Sequence, residues 1–148
     1  MKTVVHFFLL LVFLYSPVFS SELITREIEE SAEKKYGKFA KNRIMAIKTK
    51  LLLELKDASD MKKLNVVNTW INFIKYKSDK KVYSQSDYWA TLYEFIGKDA
   101  GDCEDYTIAK YYILKELGIN PRRLKFTYII YKSRSGKKIS HMVLSYLK

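Results

Sequence analysis

The chain has 148 residues, 48% of them hydrophobic, 15% aromatic and 29% charged, and its formal net charge is +11. That is enough for one globular domain and too little for two, and the abundance of both apolar and charged residues excludes wholesale disorder. Five glycines and two prolines exclude a collagen-like or low-complexity chain, and a single cysteine excludes an intramolecular disulfide framework or a multi-cysteine zinc or iron–sulfur site.

Residues 1–20 read as a secretory signal peptide. Lys2 supplies a short positive start. An apolar run over 4–15 follows, then Pro17, with Val18 and Ser20 suited to the −3 and −1 positions of a cleavage site. The run is shorter than the roughly 20 residues a membrane span needs, with an uncleaved N-terminal anchor as the alternative, and no later segment is apolar enough to span. Cleavage would remove one base, Lys2, and no acid, so residues 21–148 carry a formal charge of +10. Cleavage would also remove His6. Cys103 and His141 are then the only cysteine and the only histidine.

Residues 22–76 are rich in Lys, Glu, Leu, Ile and Ala and read as helical. Ile24, Ile28, Ala32 and Tyr36 share one face, and Gly37 ends that first helix. A second helix is expected over 39–55, with Ile44, Ile47, Leu51 and Leu55 inward. Asp57, Ser59 and Asp60 form a polar break, and a third helix over 61–76 buries Leu64, Val67, Trp70, Ile71 and Ile74. The stretch 77–86 reads as a loop. Ser86 is expected to cap a short helix through Phe95 that Gly97 stops, and Asp102 to open a helix over 103–117 that Gly118 and Pro121 terminate. Residues 124–131 and 139–147 alternate as strands around a turn at 133–138, which predicts an antiparallel hairpin. Helices first and sheet last is an α+β order.

The segment Gly101-Asp102-Cys103-Glu104-Asp105-Tyr106 puts a thiol in the first turn of a helix. The backbone N–H groups and the helix dipole there favour thiolate. Gly101 allows a tight turn ahead of it. The neighbouring carboxylates oppose thiolate, because negative charge raises a thiol pKa. On the second strand His141, Val143, Ser145 and Leu147 share one face, and Met142, Leu144 and Tyr146 the other. Packing of the His141 face on the Cys103 helix would bring the imidazole to the sulfur as an activated nucleophile pair. The plainer alternatives are a small buried cysteine, a structural histidine and an ordinary helix cap at Asp102-x-x-Asp105. Tyr88 and Trp89 are candidates for lining the cleft near Cys103, with core packing as the alternative. The bases are spread along the chain. With an export signal and no recognised binding motif, they favour a solvated surface or attraction to an acidic substrate or anionic membrane over nucleic-acid binding.

Four blocks resemble a known family: Asp87-Tyr88-Trp89-Ala90-Thr91; the run from Gly101 through Tyr111; Leu117-Gly118-Ile119; and His141-Met142-Val143-Leu144. Together they are similar to the bacterial transglutaminase-like cysteine proteinases of the LapG type, over residues 65–148. The resemblance implies a papain-like/transglutaminase-like α+β fold, with N-terminal helices followed by an antiparallel sheet. It implies a periplasmic endopeptidase with a Cys-His-Asp triad, in which Cys103 matches the nucleophile and His141 the base. It implies calcium beside the nucleophile, with Asp102, Glu104 and Asp105 at the ligand positions; hard carboxylate oxygens suit that ion. The implied substrate is the N-terminal region of a large surface adhesin of biofilms, and the implied regulator is an inner-membrane receptor responding to cyclic di-GMP. The family's third triad residue is an aspartate on the strand after the histidine strand. Here residues 142–148 follow His141 and none is acidic, so the domain over 21–148 is expected to be incomplete at its C-terminus. The resemblance therefore leaves two further readings: an inactive homologue that only binds its partner, and acyl transfer onto an amine.

Overall fold

The computed structural model describes residues 23–148; the signal peptide expected over 1–20 lies outside them. Helix α1 (Arg26–Tyr36) starts at Thr25, whose side chain accepts from the Ile28 N–H, and ends at Gly37 with φ of 86°. That left-handed backbone is open to glycine at no steric cost. Helix α2 (Lys38–Ala46) runs without a break into a π-helical stretch, Ile47–Leu53. The wider turn brings both Leu51 and Leu52 into the core. The inward positions expected for this helix, Ile44, Ile47, Leu51 and Leu55, are all buried.

Helix α3 (Asp60–Ile71) is capped by Ser59, whose Oγ accepts from the Lys62 N–H. It stops five residues short of the expected end. Residues Lys75–Tyr76 form strand β1 instead, paired in parallel with β2 (Ala100–Gly101). A two-residue ladder has no periodicity to read in a sequence. Between them lie the four-residue helix α4 (Asp79–Val82) and helix α5 (Leu92–Lys98). The cap of α5 is Thr91, not Ser86. The Thr91 hydroxyl accepts from the Glu94 N–H, and the Glu94 carboxylate accepts from the Thr91 N–H, which is a capping box. Gly97 lies inside this helix and Asp99, at φ of 52°, ends it. The Arg43 guanidinium donates to the carbonyls of Ile96 and Gly97 at 2.8 and 2.7 Å, satisfying the free end of α5 from α2.

Helix α6 (Cys103–Glu116) crosses the core, burying Ala109, Ile113 and Leu114. A short 3-10 turn at Pro121–Arg123 leads into β3 (Leu124–Lys132), which pairs antiparallel with β4 (Lys138–Tyr146) from Leu124↔Tyr146 to Lys132↔Lys138. Met142 is buried, and Leu144 and Tyr146 pack against the helical core. Phe126, opposite Leu144, meets the Tyr111 ring of α6 at 5.1 Å between centroids. The sheet face lying on α6 is therefore the one carrying Met142, Leu144 and Tyr146, and not the face of His141. Apolar side chains decide the choice, since Met142, Leu144 and Phe126 gain more by burial than His141, Ser145 and Thr127 would. Arg123 and the Tyr146 hydroxyl both donate to Asp60 Oδ2, at 3.0 and 2.8 Å, tying the end of β4 to the start of α3. No helix among the described residues is long and apolar enough to cross a membrane.

Candidate active site

Cys103 is the first helical residue of α6, directly after the extended Asp102. Thr107 fixes this turn by donating to the Cys103 carbonyl at 2.8 Å. The thiol is half-buried and donates to Glu104 Oε2 at 2.7 Å. Burial, then the hydrogen bond to Glu104, push the thiol up to about 11, although a contact from the Met142 backbone acts the other way. Burial and the neighbouring carboxylates of Glu104 and Asp102 thus favour the protonated thiol. Burial also disfavours the Glu104 anion, but its hydrogen bonds from the Cys103 thiol and elsewhere, and the nearby His141, hold its carboxyl below the ordinary range.

Cys103 and His141 line one open cavity of about 490 Å³. His141 reaches it from β4 even though the opposite sheet face packs on α6. Its imidazole and the Tyr131 ring form a T-shaped pair, 6.3 Å between centroids and 82° between planes. The other walls come from Tyr76 on β1, Tyr106, Thr107 and Lys110 on α6, Asn68 on α3 and Asn72 at its C-cap. Tyr106 donates its hydroxyl to the Ile74 carbonyl. The Lys110 ammonium donates to Asn68 Oδ1 and Asn72 Oδ1 at 2.7 and 2.8 Å, and burial lowers its pKa. Sequence reasoning missed these wall residues. The usable signal was helical spacing: Tyr106 and Lys110 stand three and seven residues after Cys103, on the same helix face.

Tyr88 and Trp89 do not line this cavity. Trp89 is half exposed beside a separate hollow formed with Leu23, Ile108 and Tyr112. Tyr88 stacks on Tyr83 at 4.4 Å and donates its hydroxyl to Glu94. Their segment is held by carboxylates that accept from its backbone: Asp79 Oδ2 from the Tyr88 N–H at 2.6 Å and Asp105 Oδ1 from the Ala90 N–H at 2.8 Å.

The three acids expected around a cation divide into two adjoining groups that share Asp102. Ligand atoms of Asp102, Cys103 and Glu104 lie within 4.8 Å of one another, and so do oxygens of Asp79, Asp102 and Asp105. Asp105 is fully buried and its Oδ2 accepts from the Asp102 N–H at 3.2 Å. Burial pushes its carboxyl up to about 6. Asp102 is pushed up to about 7, first by burial and then by Glu104. Oδ1 of Asp102 is buried without a hydrogen-bond partner, as is Oδ1 of Asp79. Hard oxygen donors, crowded negative charge and unsatisfied buried oxygens are what a divalent calcium ion suits. Gly101 has a role here that differs from the tight turn expected of it. A Cβ at this position would collide with the Asp105 carboxylate and the Phe95 ring, so glycine admits the side chain that organises the turn.

Residues 35–146 match the family described as bacterial transglutaminase-like cysteine proteinase. This chain belongs to that family. Three solved structures of LapG from Legionella pneumophila, a calcium-bound form, an EGTA-treated form and one further LapG structure, share the transglutaminase-like fold with this family member. Each has a TM-score of 0.66 and 32% sequence identity, over 81% of the present proteinase-family chain. The match spans 64% of the calcium-bound LapG chain and 62% of the other two, less than two thirds of their length. No sequence among the curated proteins matches this family member significantly.

Proposed function

We propose that the chain is a calcium-supported cysteine endopeptidase of the periplasm, reached through the signal at residues 1–20. Its proposed substrate is the N-terminal region of a large surface adhesin, under control of a cyclic di-GMP-responsive inner-membrane receptor. The observation that carries the reading is the shared cavity: the lone thiol, at a helix N-terminus, and the lone histidine of the described residues face the same space. Similarity to a calcium-bound LapG supports the ion.

In this reading His141 takes the Cys103 proton and the thiolate adds to the peptide carbonyl. First-turn N–H groups of α6 are suited to the developing oxyanion. The carbon–nitrogen bond then breaks as the imidazolium returns its proton to the leaving amine, and water cleaves the thioester to restore the thiol. Asp102, Glu104 and Asp105 would hold calcium, whose charge offsets the carboxylates that oppose a thiolate.

The test is cleavage of an adhesin N-terminal fragment, with calcium and with EGTA. Cys103→Ala and His141→Ala should both abolish cleavage with circular dichroism unchanged, and turnover by Cys103→Ala would sink the proposal. The protonated thiol held by Glu104 favours a second reading, a module that binds the adhesin or receptor without cutting. Normal partner affinity with no turnover in the calcium-loaded chain would select it. Amine-linked products would select acyl transfer instead of hydrolysis.

A further inference from the structure

Asp79 was not among the acids singled out from the sequence, because it stands 23 residues before Asp102 in a lysine-flanked stretch that reads as a loop. It is 3% exposed. Its two oxygens have different surroundings. Oδ2 accepts from the Tyr88 N–H, whereas Oδ1 is buried and meets no donor. A buried carboxylate oxygen without a partner leaves its loss of hydration uncompensated, so such atoms are rare in folded chains. The surroundings of Asp79 are not neutral. Oxygens of Asp79, Asp102 and Asp105 lie within 4.8 Å of one another, and Asp102 Oδ1 is likewise without a donor. Lys and Arg form ion pairs elsewhere among the described residues, and none of those pairs involves these three acids. Calcium takes oxygen at about 2.3–2.6 Å, so oxygens sharing one ion stand no more than about 5 Å apart. The three carboxylates are close enough to share one ion.

We propose that Asp79 is a calcium ligand contributed from outside α6, so that the ion joins the segment 79–90 to the turn that carries Cys103. This rests on the reading of Asp102 and Asp105 as calcium ligands. It adds a mechanical consequence. Asp79 grips the Tyr88 N–H and Asp105 the Ala90 N–H, so an ion shared by the two acids fastens both ends of one clamp.

The experiment is isothermal titration of the purified chain with calcium chloride alone, for wild type, Asp79→Asn and the exposed control Asp87→Asn. Limited proteolysis of residues 83–91 and melting in EDTA accompany it. Asparagine keeps an acceptor for the Tyr88 N–H while removing the charge. We expect Asp79→Asn to bind calcium at least tenfold more weakly, to lose the calcium protection of 83–91, and to melt in EDTA no lower than wild type. Asp87→Asn should behave as wild type. Equal calcium affinity in wild type and Asp79→Asn would overturn the assignment of Asp79 while leaving Asp102 and Asp105 as ligands. No calcium binding by wild type would overturn both. A fall in EDTA melting temperature for Asp79→Asn would overturn the proposal too, since Asp79 would then be a structural acceptor.

Discussion

Glu104 controls the state of the Cys103 sulfur, because it accepts the thiol proton in a short hydrogen bond and keeps a negative charge beside it. Glu104→Gln removes the charge and leaves the burial. The pH midpoint of Cys103 alkylation should fall, and the rate at pH 8 should rise several-fold, while the midpoint stays above the ordinary thiol value of about 8.5. Iodoacetamide kinetics across pH check this directly, since the chain has no other cysteine. An unchanged midpoint would mean that the carboxylate is not what holds the proton. Asp105 acts differently. Its two oxygens accept from Ala90 and Asp102, so it starts α6 and anchors the preceding segment at once. Gly101→Ala would place a methyl group against that carboxylate and the Phe95 ring, overpacking that costs about 1–3 kcal/mol. Thermal unfolding should show the loss, and calcium affinity should fall with it.

Among the elements, the best test of packing is α5. Its interior Gly97 lies against the Tyr36 ring of α1, where a Cβ would collide with the ring itself. Gly97→Ala should therefore lower stability by about 1–3 kcal/mol and the melting temperature by several degrees, despite the better helix propensity of alanine. A stabilised variant would show that Tyr36 moves aside freely. The same helix marks where the sequence stopped being informative. The long amphipathic helices were legible because 3.6-residue periodicity reports a buried stripe, and Ile44, Val67 and Ile71 lie where that pattern puts them. Thr91 was missed as a cap in favour of Ser86, because both fit the residue chemistry. What decides between them is nonlocal, the anchoring of Tyr88 and Ala90 by acids on α4 and α6. The short strands β1 and β2 exist for the same kind of reason and leave no pattern of their own. At the site, Cys103 and His141 were singled out as a pair because they are the lone cysteine and histidine after residue 20, and both line one cavity. The alternation on β4 was right, but it could not say which face α6 covers. Asp79 and the Tyr76–Lys110 wall depend on tertiary approach that spacing does not encode.

For the molecule as a whole, the acid cluster sets how stability follows pH. Asp102 and Asp105 have folded-state pKa values raised to about 7 and about 6, and burial raises Asp79 as well. The folded chain thus binds more protons than the unfolded chain between about pH 4 and pH 7. Stability from these groups is present at the acid end of that window and is lost as pH rises through it. Glu104, held below its ordinary value, acts oppositely but at lower pH. In EDTA the melting temperature should decline from pH 5 to pH 7.5, and saturating calcium should flatten the slope; a rise over that range in EDTA would contradict the burial argument. The hairpin sets another whole-molecule property. The outer strand of the hairpin, β3, pairs only with β4 among the described residues, leaving backbone donors and acceptors along its other edge, whereas the Met142 backbone on β4 meets the Cys103 thiol. Near its turn it overhangs α6, leaving Tyr128 and Ile130 65% and 71% exposed. Sticky edges beside bare aromatic and aliphatic surface are a template for strand-to-strand association. Colloidal behaviour should then be governed by this ribbon more than by net charge. Light scattering should report concentration-dependent association at neutral pH, and Ile130→Lys, at a position paired with Ser140 on the sheet face opposite His141, should suppress it.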